Sequence, residues 1–565
     1  MPMIEPKYFT LNTLFADRVF RIPRFQRFYS WQTKQREDLF NDLQDLYNKD
    51  KGGDRHHFMA TIVCYRTGEK RPVKAIDYKI YEIVDGQQRI TTLVMLFKAL
   101  EKRLDDPEVK KDVSRMLVKD DDNLLLLQTN NINDHLFNRY LRDGKTPQKS
   151  EIKTHADQNF YSAVREIDSF LDKWEENGAT AMDLLRLVRN RIGLVVYDTE
   201  DSNAVYTIFE CLNSRGLEVD WLDKTKSVLM GIAFEKSKSQ HAANAKIDEL
   251  HNLWSGIYNA IARYPVPGHE ILRVTSSLYF GAGGGKPLSS EDSMDEIRKY
   301  CDNARKTIEM TKRLQSVTEK LVGIHMNPSL AAVTRILQVR VLGVALMLTE
   351  ALGDEERRTA LEQWERVSFR IFGLFWNDAR VKVGDYIRLA AWIVQEGATI
   401  SYKEIMDKLY TLGSEYPIKD AVQELLGRRE YEGFEEESRY ILWRYEEYLA
   451  AQEGAEVNQE LREKIWAARS AAETVEHIFP RHPVPGGPWK GKLMVGAHRE
   501  KQVYRIGNLL LLPPSLNSRA GNRSFREKKK IYKKAEGLRV VEAVLKKSDW
   551  NQAAINQREK KLALS

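Results

Sequence analysis

Cysteine is scarce in this chain. Three occur in 565 residues, Cys64, Cys211 and Cys301, and no two form a CxxC pair. That excludes a disulfide framework and a cysteine-built zinc site, and it suits a reducing compartment, so the cytoplasm is expected. A long apolar run is also missing. The most apolar helical stretch, Val341 to Thr349, is bracketed by Arg340 and Glu350, far short of the roughly 20 apolar residues a membrane span needs. Met1-Pro-Met-Ile-Glu-Pro-Lys7 has no basic stretch leading into an apolar one, so no secretory signal is expected. There is no internal repeat, low-complexity linker or Walker motif. Gly281-Ala-Gly-Gly-Gly-Lys286 is one residue short of phosphate-loop spacing, and Pro287 stands where Ser or Thr is required.

What is present is a long, charged chain with one basic block. Its length exceeds what one core supports, so two to four domains are expected. The net charge is +7. Residues 481–534 hold fourteen Lys or Arg and two acids, so this segment carries +12 and the remainder −5. A basic block on an otherwise slightly acidic protein is the footprint of a polyanionic partner.

Residues 21–31 read Arg-Ile-Pro-Arg-Phe-Gln-Arg-Phe-Tyr-Ser-Trp. Pro23 disfavours helix for its neighbours. Arg24 and Arg27 interleave with Tyr29 and Trp31, which suits either a nucleic-acid surface or an aromatic mini-core closing over the next helix. Leu39, Leu43, Leu46 and Tyr47 mark that helix. Phe58–Tyr65 and Tyr78–Val84 read as strands. The second runs into Asp85-Gly86-Gln87-Gln88-Arg89, then a helix from Ile90 to Leu100 that starts with Thr91 and Thr92. A strand, a glycine turn and a helix start can receive a phosphate on backbone N–H groups. Asp85 could hold a metal or a water, Gln87 or Gln88 could orient a water, and Arg89 could neutralise phosphate charge. Phe160, Val164, Ile167, Leu171 and Trp174 form a core-facing helical stripe, and Leu194–Tyr197 reads as a strand. Ala204–Leu217 reads as a helix stopped by Asn213-Ser-Arg215-Gly, with Asp223 and Lys226 on the next helix. From about Ser227 to Glu453 the pattern is mostly helical, including stretches around Leu337–Leu352 and Leu361–Trp376.

Near the C-terminus stand Glu473-Thr-Val-Glu-His-Ile-Phe-Pro480, Tyr504-Arg-Ile-Gly-Asn-Leu-Leu-Leu-Leu512 and Leu516-Asn-Ser-Arg-Ala-Gly-Asn-Arg-Ser-Phe525. Phosphodiester cleavage needs a base to make hydroxide, a cation for the charged phosphorus centre, and positive groups along the backbone. All three ingredients fall within about fifty residues. His482 and the His56-His57 pair have no partners at metal-ligand spacing and read as loop residues.

Taken together, Ile22-Pro23…Gln26-Arg27-Phe-Tyr29-Ser-Trp31, Val84-Asp-Gly-Gln-Gln-Arg-Ile-Thr-Thr92 and Ile208-Phe-Glu-Cys-Leu-Asn-Ser-Arg-Gly216 resemble the N-terminal module of GmrSD-type, modification-dependent restriction proteins. Residues 476–530 resemble the nuclease module of the same proteins, an architecture shared with the phosphorothioate-sensing SspE proteins. The resemblance implies an α+β, predominantly helical fold. It divides into a ParB-like α/β nucleotide-binding and sensor module at 1–230, a helical connector at 231–454 and a ββα-metal (HNH, or His-Me finger) nuclease at 455–565. It implies hydrolysis of GTP or another nucleoside triphosphate by Asp85, Gln87, Gln88 and Arg89, with Gly86, Arg89, Thr91, Asn213 and Arg215 as binding contributors. One departure is Asp223-Lys-Thr-Lys-Ser227 where the family has an Asp-Leu-Leu-Lys-Asn-like run, which leaves the roles of Asp223 and Lys226 open.

For the nuclease, the resemblance agrees with the chemistry. His477 would deprotonate the attacking water. Glu476 would ligate Mg²⁺ or Mn²⁺, with Asn517, or alternatively Asn522, completing the metal site. Asn508 would hold the His477 ring or the strand geometry, and Arg519, Arg523 and Lys528 would track phosphates. The expected substrate is double-stranded DNA carrying a base or phosphorothioate modification, read by Arg24, Arg27, Tyr29 and Trp31. The expected system is an anti-phage restriction system. One site nicks, and a double-strand break needs two sites or a homodimer. A nucleotide-regulated DNA-binding or signalling protein, and a nonspecific nuclease braked by its N-terminal module, are the alternatives.

Overall fold

The computed structural model describes residues 6–49, 56–119, 124–129, 134–200, 220–235, 240–281, 285–427, 434–492 and 502–564. It divides into two compact units, residues 1–276 with 288–322, and residues 277–287 with 323–565. The helix expected at Ala204–Leu217 with its Asn213–Arg215 turn, and residues 282–284 of the glycine stretch, lie outside the described residues. Among the described residues no helix is long and apolar enough to cross a membrane.

The first unit is built on a mixed six-stranded sheet. Its strands are β1 (Lys7–Thr10), β2 (Arg18–Ile22), β3 (His57–Val73), β4 (Ile76–Asp85), β5 (Leu127–Thr129) and β6 (Ile192–Thr199), in the order β1-β6-β3-β4-β2-β5. β3 and β4 form a long antiparallel hairpin. β6 runs parallel to β3, and both β4 and β5 run parallel to β2. The two strands legible in the sequence extend beyond their apolar stretches because the hairpin continues through Arg71–Val73 and Ile76–Tyr78, where each strand needs only the other as a partner.

β4 leads directly into the helix Gln87–Arg103 through Gly86. Gly86 adopts φ +90°, and a Cβ there would lie 3.0 Å from Ile62 Cγ1. Only glycine meets both demands cheaply. The helix is buried along its whole length, from Gln87 to Glu101 apart from Arg89. It is apolar on nearly every side because it packs against the helices Pro107–Leu117, His155–Glu176 and Ala181–Arg191. The stripe Phe160–Trp174 lies on His155–Glu176 and joins this core.

In the second unit the helices Leu337–Leu348 and Asp354–Ser368 are separated by a turn ending at Gly353. The sequence pattern placed the second start at Leu361. It begins earlier because Glu356 reaches back to the Gly353 N–H at 3.1 Å and three acids occupy the first turn. At the C-terminal end, β7 (Val475–His477) pairs antiparallel with β8 (Leu509–Leu511). The helices Pro514–Ala520 and Phe525–Tyr532 follow β8. Both strands are fully buried in a core with Trp443, Phe479, Tyr532, Trp550 and Ile555.

Candidate functional sites

In the C-terminal site, Glu476 and His477 end β7, with 4 % and 8 % of their surface exposed. They share a cleft of about 520 Å³ with Asn517, Arg481, His482 and Asn522. The structure therefore brings Glu476, His477 and Asn517 together, and it puts His482, which the sequence marked only as a loop residue, on the same cleft. Arg519 and Arg523 are exposed, as tracking residues must be.

Asn508 ends a short 3₁₀ turn immediately before β8 and is fully buried. Its Oδ1 accepts from the Phe479 amide at 2.8 Å and from Trp550 Nε1 at 3.0 Å. Its Nδ2 donates to the carbonyls of Phe479 at 3.0 Å and Val503 at 2.8 Å. With two donors and two acceptors in use, its carboxamide is spent on the loop after β7, which is strand geometry rather than a bond to the His477 ring. The turn is closed from outside by the helix Gln552–Leu564. Arg558 donates to the carbonyls of Ile506 and Gly507, and a Cβ at residue 507 would lie 2.4 Å from the Ile555 carbonyl oxygen.

Lys528 sits elsewhere than a phosphate-tracking residue would. It is completely buried, and its ammonium donates to Glu476 Oε1 at 2.6 Å and to the His477 carbonyl at 2.7 Å. Tyr532 donates to the same carboxylate oxygen at 2.9 Å. Burial raises the Glu476 carboxyl and lowers the Lys528 ammonium, and each partner's charge opposes the other's shift. Burial, then the charges of Arg481 and Lys528, push the His477 imidazole down to about 3, so the ring is neutral at physiological pH. The ring of Tyr504 meets it edge-on at 5.7 Å.

A hard divalent cation fits this donor set. Glu476 offers its second carboxylate oxygen and Asn517 its amide oxygen, while the Asn517 nitrogen is held by the Glu473 carbonyl at 2.9 Å. Among the described residues there is no group of three or more His, Cys, Asp or Glu that could hold a metal. Two oxygen donors would hold only a cation that keeps most of its waters, a habit of hard ions such as Mg²⁺ and Mn²⁺.

In the N-terminal site, the segment Ile22–Trp31 lies across the start of the helix Gln87–Arg103 and is fastened by glutamines. Gln26 Nε2 donates to the Val84 carbonyl at 2.9 Å, Gln87 Nε2 to Arg27 O at 3.0 Å and Gln88 Nε2 to Phe28 O at 3.0 Å. Gln88 Oε1 accepts from the Ser30 amide at 2.8 Å. Both polar atoms of Gln88 are committed to backbone, whereas Gln87 keeps its Oε1. Thr91 donates to the Gln87 carbonyl at 2.7 Å, and the Tyr29 hydroxyl meets that of Thr92 at 2.9 Å. Phe25 and Phe28 are buried and Trp31 is half-buried, so the aromatics close a small core, and Arg24 is the one exposed residue of the segment.

Behind the segment lies a charged cluster. Arg27 Nε is 3.5 Å from Asp223, the Tyr258 hydroxyl donates to Asp223 at 2.6 Å, and Lys226 donates to Gln26 Oε1 at 3.0 Å. Burial pushes the Lys226 ammonium down to about 8 against the pull of Asp223. Burial also raises the Asp85 carboxyl, opposed by the Gly86 amide and Arg89 and reinforced by the negative charge of Asp223. Asp85, Arg89, Arg27, Asp223 and Lys226 thus feel one another, and Asp223 and Lys226 have defined places despite the unusual local sequence. A cavity of about 220 Å³ opens beside Arg27, Tyr29, Asp220 and Tyr258. Arg27 brings positive charge to that cavity and Asp220 negative charge. Tyr258 and Asp220 were not legible as contributors, since nothing local in sequence links them to residues 22–89.

Searched against curated proteins, the chain finds no match. Two family models do match: "GmrSD restriction endonuclease, N-terminal domain" over residues 11–230, and "GmrSD restriction endonucleases, C-terminal domain" over residues 418–564. The N-terminal match takes in Arg27, Asp85, Asp223 and Lys226, and the C-terminal match takes in Glu476, His477 and Asn517. The chain belongs to the GmrSD restriction endonucleases.

Proposed function

We propose that this restriction endonuclease cuts modified double-stranded DNA one strand at a time through a metal-dependent HNH site in residues 455–565. Nucleotide hydrolysis in the 1–230 module governs the cut, across the helices of 231–454. The observation that carries the reading is the presence of Glu476, His477 and Asn517 on one cleft behind a two-stranded hairpin and a helix.

The neutral His477 imidazole accepts the proton of the attacking water. Glu476 and Asn517 hold the cation, Mg²⁺ or Mn²⁺, which when bound stabilises charge on the phosphate and the leaving oxygen. Arg519 and Arg523 contact backbone phosphates. In the other module, Arg27 and Arg89 hold the phosphates of GTP or a related triphosphate, Asp85 serves the hydrolytic centre, and the remaining Gln87 oxygen accepts from water. The Arg24 face of the 22–31 segment contacts DNA.

A plasmid-nicking assay tests this, comparing wild type and His477→Ala on unmodified, phosphorothioated and glucosyl-hydroxymethylcytosine DNA, with and without GTP or ATP. Nicking of one modified substrate, lost in His477→Ala, is the expected result. Equal nicking of all substrates supports a braked nonspecific nuclease instead. The engagement of Glu476 by Lys528 favours a second reading, a nucleotide-regulated DNA clamp. Nucleotide-dependent binding without any nicking would establish it.

A further inference from the structure

The basic run Arg526-Glu-Lys-Lys-Lys530 looks uniform in sequence, yet Lys528 behaves unlike its neighbours. In the helix Phe525–Tyr532 the buried positions are Phe525, Lys528 and Tyr532, while Arg526, Glu527 and Lys530 are exposed. The spacing of three and four residues puts the three on one face. That face lies against β7. A lysine taken wholly out of water is costly unless its hydrogen bonds are met, and here one ammonium joins Glu476 Oε1 and the His477 carbonyl, at 2.6 and 2.7 Å.

We propose that Lys528 and Tyr532 form a positioning brace that grips Glu476 by one carboxylate oxygen and β7 by the His477 carbonyl, so that the other carboxylate oxygen is presented to a hard divalent cation in the cleft. The brace rests on the metal-dependent reading of this site. Both donors converge on Oε1, which leaves Oε2 free of these two side chains, and the His477 backbone amide adds its own pull on the carboxylate. The brace itself is stiff. A Ser524–Glu527 capping box starts the helix, and Trp489 Nε1 donates to the Arg523 carbonyl at 2.9 Å just before it. The exposed side of the same helix carries Arg526 and Lys530, with Lys533 at its C-cap, so a polyanion held there would press on the element that aims the carboxylate. Groups that orient a metal ligand through its free atom commonly set affinity by about 10- to 100-fold.

The test is Mn²⁺ binding by the full-length protein without DNA, followed by electron paramagnetic resonance, alongside thermal melting. Lys528→Met should weaken Mn²⁺ binding by about 10- to 100-fold. Tyr532→Phe should weaken it by a smaller factor, and Lys528→Arg should restore much of it. Nucleotide hydrolysis should stay unchanged in all three. Mn²⁺ binding as tight as wild type in folded Lys528→Met overturns the brace, and tighter binding means that the ammonium stands in the cation's place. If Lys528→Met does not fold, Tyr532→Phe decides, since unchanged affinity there also overturns the brace. A wild-type protein that binds no Mn²⁺ at millimolar concentration overturns the metal-dependent reading and the brace with it.

Discussion

The two sites solve the same problem, holding charged groups out of water, in different ways. In the N-terminal unit a glutamine-rich helix start fastens an irregular segment, and Arg27, Asp223, Lys226 and Tyr258 share a spread-out network whose ionic contacts are 3.5 Å or longer. In the C-terminal unit two three-residue strands carry the site, and Glu476 and Lys528 make one tight pair at 2.6 Å. A network tolerates loss of a member because the rest can re-pair. A single pair cannot, since removing either partner strands a buried charge at a cost of about 3–5 kcal/mol.

The sharpest way to break that comparison is chemical. His477→Ala should reduce DNA cleavage by about 10²- to 10⁴-fold while leaving phosphate release from GTP intact, whereas Asp85→Ala should abolish nucleotide turnover and change the cleavage that turnover governs. A nicking assay and a phosphate-release assay on both variants check it, and an Asp85→Ala protein that nicks as wild type does would mean that the two sites work independently. Next comes Asn508→Ala. It deletes four hydrogen bonds and leaves the Phe479 amide and the Trp550 indole unpaired, which should destabilise the C-terminal unit by roughly 3 kcal/mol. Hydrogen exchange of residues 475–479 and 509–512 reads that loss locally. Gln88→Ala should cost somewhat less, roughly 1–3 kcal/mol, because it releases only Phe28 and Ser30. Exchange should rise at Ser30 with the C-terminal unit unaffected.

The smallest effect concerns pH. Lys119 is buried and donates to the Phe15 carbonyl at 2.7 Å, and burial lowers its ammonium from the ordinary 10.5 to about 8. Between those values the unfolded chain binds more protons than the folded one, so this group makes stability rise with pH across that window. The slope from one such group is at most about 1.4 kcal/mol per pH unit. Lys119→Met should flatten it, as denaturant titrations from pH 7.5 to 10 would register.

Much of this was legible in the chain itself. Strands rich in β-branched residues, the Asp85-Gly86 turn and the Phe160–Trp174 stripe all follow from short-range patterns. What escaped were contacts made across distance. Gln87 and Gln88 read as water-orienting groups because the backbone they hold lies about sixty residues away. Lys528 read as one lysine of a basic run because only the three-dimensional path of the helix decides which lysine faces inward. For Asn508 the choice between holding the His477 ring and holding the strand geometry stayed open, because Trp550, 42 positions later, is one of the groups that tie its carboxamide down.

The closure of the Gly507-Asn508 turn by the helix Gln552–Leu564 has a consequence for synthesis. Arg558 follows His477 by 81 residues, and chains elongate at about 5–20 residues per second. For roughly 4 to 16 seconds after His477 leaves the ribosome, a nascent molecule lacks the helix that closes the turn beside it. The strand pair that carries Glu476 and His477 therefore waits on residues made long after its own.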